Sequence, residues 1–177
     1  MMKTLIAYFS RAGENYFGGS IRWTEVGNTE ICAKHLEQMT GADLFRIEMK
    51  TPYSDNYKKC TAQAALDMTA GKRPELKELP IDLEAYDTII LGYPNYCGTI
   101  PMAVASFLEA FDFSGKTILP FCTNEGSGMG ESESLIKKLC PAAEVRPGKS
   151  ILGSRAEQAG PELEQWLRQN GVNRSMK

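Results

Sequence analysis

Histidine is nearly missing from this sequence. His35 is the only one among 177 residues, which excludes multi-histidine metal centres and rests any Ser-His-Asp triad on one side chain. Cysteine is sparse and unpaired. Cys32, Cys60, Cys97, Cys122 and Cys140 contain no C-x-x-C motif, and their odd number and spacing fit neither zinc nor a disulfide framework. Reduced thiols and a cytoplasmic location are therefore expected. An excess of one charge is absent too: 20 Lys and Arg against 22 Asp and Glu leave a formal net charge of −2. That balance gives no basic footprint for nucleic acid. Long apolar runs are lacking as well. The first, Leu5 to Phe9, is too short for a signal-peptide core or a membrane span, so neither a targeting segment nor a membrane partner is expected. Side-chain acid–base and metal chemistry is scarce, so no catalytic side chain or metal ligand is assigned. Redox or transfer chemistry here requires a bound group to carry it.

The chain has the length of one domain, and no repeat, low-complexity tract or linker divides residues 1–177. Strand and helix patterns alternate along it. Thr4 to Phe9 reads as a first strand, and Gly27-Asn28-Thr29-Glu30 opens a helix with Ile31, Cys32, His35, Leu36 and Met39 on one face and Gly41 as its stop. Leu44 to Met49 alternates as a half-covered strand, and Ser54 to Ala70 reads as a helix. A charged stretch broken by Gly and Pro follows, from Gly71 to Pro80. Thr88 to Tyr93 is apolar on both faces, the mark of a central strand in a parallel sheet. Met102 to Phe111 is helical, and Thr117 to Cys122 is a buried strand carrying Pro120, which predicts a bulge or a departure from the ladder there. Glu131 to Cys140 is a helix stopped by Pro141, Lys149 to Gly153 a last strand, and Gly160-Pro161 starts the final helix. Five strands interleaved with helices predict a parallel α/β sandwich. Gly13 to Val26 stands out as a Gly-rich insert between the first strand and the first helix.

In a doubly wound sheet ordered 2-1-3-4-5, the loops after strands one, three and four converge at the switch point. They read Ser10-Arg11-Ala12, continued after the insert by Gly27-Asn28-Thr29; then Tyr93-Pro94-Asn95-Tyr96-Cys97-Gly98-Thr99; then Thr123-Asn124-Glu125-Gly126-Ser127-Gly128. The first offers hydroxyls, amides and a helix N-terminus, which suit a phosphate. Ser10, Asn28 and Thr29 also fit plain helix capping. The other two loops supply an aromatic and amide-rich walls, as a flat heterocycle requires.

Ala7-Tyr8-Phe9-Ser10-Arg11, the helix start Gly27-Asn28-Thr29, the Gly92-Tyr93-Pro94 turn and the Thr123–Gly128 segment together resemble the flavodoxin-like proteins. The resemblance runs from Lys3 to about Gly171. It implies a flavodoxin-like three-layer sandwich on a five-stranded parallel sheet, of the short type, binding FMN noncovalently and transferring electrons between redox partner proteins. The same resemblance extends to NAD(P)H-dependent FMN reductases of quinones or nitro compounds, and to modules of this fold without flavin. The family's phosphate loop runs uninterrupted, whereas here Ser10 is separated from Gly27 and Thr29 by the insert. Ser10-Arg11-Ala12-Gly13-Glu14-Asn15 is a rival match; the Gly27–Thr29 start is preferred because the amphipathic helix begins there.

The expected cofactor contacts are then Ser10, Arg11, Gly27, Asn28 and Thr29 at the phosphate, with Pro94, Asn95, Tyr96, Cys97, Gly98, Thr99, Thr123, Asn124, Gly126 and Ser127 around the ring. Tyr96 is the stacking candidate, or else a rim aromatic, and Tyr16, Phe17 or Trp23 of the insert are available to cover the flavin. Arg11 pairs either with the phosphate or with Glu14 or Glu25. The Cys97-Gly98 peptide is free to flip, because Gly98 carries no Cβ. Cys97 itself reads as a small residue rather than a redox thiol. His35 and the other four cysteines read as packing residues.

Overall fold

The computed structural model describes residues 2–79 and 82–173. Pro80, the expected end of the charged connection, lies outside them, as does Met1. Strand β1 (Thr4–Tyr8) leads into a hairpin of β2 (Gly13–Phe17) and β3 (Ser20–Thr24), followed by helix α1 (Asn28–Thr40) and strand β4 (Asp43–Arg46). Then come α2 (Tyr57–Thr69), β5 (Thr88–Pro94), α3 (Met102–Ala110), β6 (Thr117–Asn124) and α4 (Ser132–Leu139). Two short strands, β7 (Glu144–Val145) and β8 (Lys149–Leu152), precede α5 (Gly160–Gln169). The main sheet is parallel and ordered β4-β1-β5-β6-β7, with β8 also paired to β6. Among the main strands this is the 2-1-3-4-5 order of the flavodoxin-like fold.

β5 sits mid-sheet with six of its seven residues buried, from Thr88 to Tyr93. Apolar side chains of β1, β5 and β6 alternate between two cores. One joins Leu36 of α1 to Leu163 and Trp166 of α5 over Ile6, Ile90 and Phe121. The other joins Val104 and Phe107 of α3 to Ile136 of α4 over Leu5, Ile89 and Leu91. Burying one such Leu or Phe contributes about 1.5–3 kcal/mol, so each helix is held chiefly by its apolar stripe.

The sheet has one more strand than expected, and Pro120 explains the division of its edge. β7 pairs with Thr117 and Ile118, and β8 pairs with Phe121 to Asn124. Leu119 and Pro120 fall in the gap, so the proline's missing N–H costs no ladder bond, while β5 pairs along the whole opposite side. The Gly13–Val26 insert is likewise no loop but an antiparallel hairpin, with Gly13 opposite Thr24 and Phe17 opposite Ser20. Its turn is Gly18-Gly19, at φ 59° and 98°, the two positive angles a two-residue hairpin connection needs. α2 starts later than expected, at Tyr57, because the Asn56 side chain takes the Lys59 N–H at 3.0 Å and caps the helix.

Candidate functional site

The carboxyl ends of β1, β5 and β6 open into one cleft of about 250 Å³. Its base is the start of α1. Gly27 precedes the helix in extended conformation and offers no side-chain cap. The backbone of Ser10 and Arg11 crosses it so closely that a Cβ on Gly27 would lie 2.2 Å from Ser10 Oγ and 2.7 Å from the Arg11 carbonyl oxygen. Only glycine permits that approach. Ser10 Oγ in turn accepts the Glu30 N–H at 3.1 Å, and the Ile31 N–H goes to the Gly27 carbonyl at 3.2 Å. No acceptor among the described residues takes the N–H groups of Asn28 and Thr29. These two amides stand at the positive end of the helix dipole, an arrangement whose chemistry suits an anion.

The hydroxyls of Thr29 and Thr123 meet at 2.7 Å, both side chains buried, and so tie α1 to the end of β6. Asn95 joins the other two loops. Its Nδ2 donates to the Gly128 carbonyl at 3.0 Å, its Oδ1 accepts the Gly98 N–H at 2.9 Å, and its own N–H reaches the Thr123 carbonyl at 2.9 Å. Asn124 folds its loop inward, with Oδ1 accepting the N–H groups of Gly126 and Gly128, each at 3.0 Å. Its Nδ2 donates to Ser150 Oγ at 2.9 Å. These bonds tie the three loops into one hydrogen-bonded rim.

Tyr96 and Thr99 exchange both backbone hydrogen bonds, 2.9 and 3.1 Å, across Cys97 (φ 53°) and Gly98 (φ 83°). This is a two-residue turn of primed type, in which Cys97 occupies the left-handed region at a cost of about 1–2 kcal/mol. The Tyr96 ring lies edge-on to Phe9, at 5.7 Å and 81°. Burial pushes its hydroxyl well above the ordinary phenol pKa. The phenol tip faces the Cys60 thiol at 4.0 Å, inside a second cavity of about 150 Å³ that Cys97 also lines. Burial raises both thiols' pKa values, but Cys60 is buried while Cys97 stays exposed to solvent.

Ser10, Arg11, Asn28, Thr29, Pro94, Asn95, Tyr96, Thr123, Asn124 and Ser127 come together on the cleft wall. Gly27 shapes the cleft from behind, and Cys97, Gly98, Thr99 and Gly126 lie outside its lining. Arg11 lines the cleft and also reaches Glu14, through the backbone carbonyl rather than the carboxylate. Its guanidinium donates to the carbonyls of Glu14, Ser54 and Asp55 and to Asn15 Oδ1, so it pins the hairpin to the segment before α2. The Glu14 carboxylate completes the clamp by accepting the Tyr57 N–H at 2.9 Å. Of the insert's aromatics, Tyr16 lines the cleft. Trp23 does not: it is 59% exposed and donates Nε1 to Glu25 at 2.9 Å.

Asn15, Tyr57, Glu125 and Gly153 complete the wall beyond the expected contacts, Asn15 having stood only in the rival Ser10–Asn15 match. Glu125 Oε1 is buried and has no hydrogen-bond partner among the described residues. Asn28 Nδ2 and Glu125 Oε1 both crowd Gly153, at 2.6 and 3.1 Å from where its Cβ would stand. The signal for Glu125 was its place in the expected ligand loop; Gly153 and Tyr57 carried none.

A parallel sheet with a polar cleft and an open helix N-terminus at its switch point defines a ligand-binding protein of the doubly wound class. A family model described as flavodoxin matches residues 3–170, and the chain belongs to that family. No curated protein matches it. Among solved structures, a Bacteroides eggerthii protein classed by inference as a flavoprotein is similar, with 27% identity and TM-score 0.77 over 97% of this chain and 99% of its own. Another of that inferred class, from Bacteroides uniformis, has 24% identity and TM-score 0.72, covering 92% and 98% of the two chains. A Lactobacillus acidophilus flavoprotein in complex with FMN shares the fold at 19% identity and TM-score 0.65, covering 89% and 98%. Among the described residues no helix is long and apolar enough to cross a membrane. All five cysteines are free thiols.

Proposed function

We propose that this protein binds FMN in the switch-point cleft and passes electrons between redox partner proteins. The observation that carries the reading is the glycine-closed cradle at the start of α1, where the Asn28 and Thr29 amides stand uncommitted beside Ser10. The residues present fit the group. A phosphate matches the two amides and the helix dipole without requiring a cationic side chain. Glu125 Oε1 is a buried acceptor with no donor among the described residues, and a polyhydroxylated chain supplies one. The loops of Asn95 and Asn124 offer amide contacts to the edge of a flat heterocycle. When bound, FMN supplies the redox chemistry, and the protein's part is to hold it, orient it and limit water. Membership of the flavodoxin family and the FMN complex of the Lactobacillus acidophilus protein support the cofactor. Five free thiols agree with a reducing, cytoplasmic setting.

The test begins with the visible spectrum of purified protein after desalting, where flavin bands are expected. A colourless protein that takes up no added FMN overturns the proposal in favour of a flavin-free module. The loaded protein is then mixed with NADPH and a quinone. No turnover, together with rapid reduction by a ferredoxin reductase, is the expected result. Steady NADPH consumption identifies a reductase instead.

A further inference from the structure

We infer that Tyr16 of β2 and Tyr57 of α2 form an aromatic wall for the flavin ring, an inference that rests on the FMN reading above. Both residues line the cleft, and their rings lie 6.5 Å apart at 34°. Tyr16 is 45% exposed, an apolar face left open at the mouth of a polar site. The side of the cleft formed by Asn124, Glu125, Ser127 and Gly153 contains no aromatic. Tyr96 is already committed, edge-on to Phe9 with its hydroxyl toward Cys60.

Position alone does not make a wall; the two tyrosines must also be held. They are fixed to each other through the backbone. The Glu14 N–H donates to the Asp55 carbonyl at 2.9 Å, and the Glu14 carboxylate accepts the Tyr57 N–H and Asn56 Nδ2 at 2.9 and 3.1 Å. Gly13 allows this contact, since a Cβ there would stand 3.1 Å from the Asp55 carbonyl oxygen. With the Arg11 guanidinium spanning Glu14, Asn15, Ser54 and Asp55, hairpin and helix start form one unit. Its preorganised aromatic pair presents surface to a ligand at little entropic cost. The hairpin is thus the support of the wall, which gives the insert a role.

The experiment titrates apo-protein with FMN and follows quenching of flavin fluorescence and the visible circular dichroism of the bound flavin. Tyr16→Leu and Tyr57→Leu are each expected to weaken FMN binding by about three- to tenfold and to relieve part of the quenching. Tyr16→Phe keeps both at wild-type values. Trp23→Leu, on the same hairpin but off the cleft, also leaves both unchanged and reports on general damage to the hairpin. Wild-type affinity and quenching in both leucine variants, or an equal loss in Trp23→Leu, overturns the inference while leaving FMN binding intact. A wild-type protein that neither quenches nor binds FMN overturns the FMN reading itself, and the wall with it.

Discussion

Replacing Gly27 with alanine puts one methyl group into the tightest backbone crossing of the site. The new Cβ would stand 2.2 Å from Ser10 Oγ, 2.7 Å from the Arg11 carbonyl oxygen and 2.9 Å from the Arg11 nitrogen. The serine can rotate away, but doing so gives up its 3.1 Å bond to the Glu30 N–H, worth about 1 kcal/mol. The two Arg11 atoms are backbone and cannot move without shifting the turn, an overpacking cost of about 1–3 kcal/mol. Gly27→Ala should therefore destabilise the apo-protein by roughly 2–4 kcal/mol, and Ser10→Ala alone by about 1 kcal/mol. The combined variant should cost less than the sum by about 1 kcal/mol, because the hydroxyl that collides with the methyl has gone while the backbone contacts remain. Urea unfolding of the four proteins measures all of this, with the midpoint of Gly27→Ala falling by about 1–2 M at an ordinary slope. FMN affinity should drop at least about tenfold, as the Asn28 and Thr29 amides move off the cradle. A Gly27→Ala protein as stable as wild type, or strict additivity with Ser10→Ala, would refute the close crossing on which the cradle depends.

Four other outcomes are expected. Cys97→Asn should stabilise the protein by about 0.5–1 kcal/mol in urea, since Asn tolerates the left-handed region and Asn-Gly is the favoured pair of a primed turn, whereas Cys97→Val should destabilise it. Arg11→Met should leave the sheet folded but free the hairpin, so that limited proteolysis cuts between Gly13 and Val26 in the variant and not in wild type. Native protein should show one fast-reacting thiol with a disulfide reagent, Cys97, because the other four are buried. Burial raises the native pKa values of Cys32 and Cys122 to about 12 and that of Cys140 to about 11. Unfolded thiols ionise near pH 8.5, so the stabilisation is complete below that pH and falls as pH rises toward the folded values. The loss is about 1.4 kcal/mol per unit for each such thiol, and urea midpoints measured across alkaline pH report it.

Much of the fold was legible because it rests on local pattern. The unbroken apolar run of β5 marks a central strand, and the Gly27 start and Gly41 stop bound α1, whose Gly41 adopts the left-handed cap at φ 69°. The hairpin was not legible because four of β3's five residues are exposed, so no buried face imposes an alternating pattern. Nor was the division of the sheet edge at Pro120, since it depends on where two later strands stop. The crossing of Ser10 over the start of α1 could be read from Ser10, Gly27, Asn28 and Thr29, because a glycine before an amphipathic helix has a local signature. Arg11's role could not, because its acceptors are carbonyls of Ser54 and Asp55, distant in sequence and the same in every residue type. Tyr57 escaped notice for the same reason: only the Glu14 clamp brings its ring beside Tyr16.

The central claim, that Ser10 and the start of α1 hold the phosphate of FMN, is tested most directly by paired titrations of the apo-protein with FMN and with riboflavin. The two ligands share ring and ribityl chain and differ only in the phosphate. The account predicts one FMN per chain, bound at least about a hundredfold more tightly than riboflavin, with the difference largely abolished in Gly27→Ala. Equal affinity for the two ligands, or no binding of either, would contradict it.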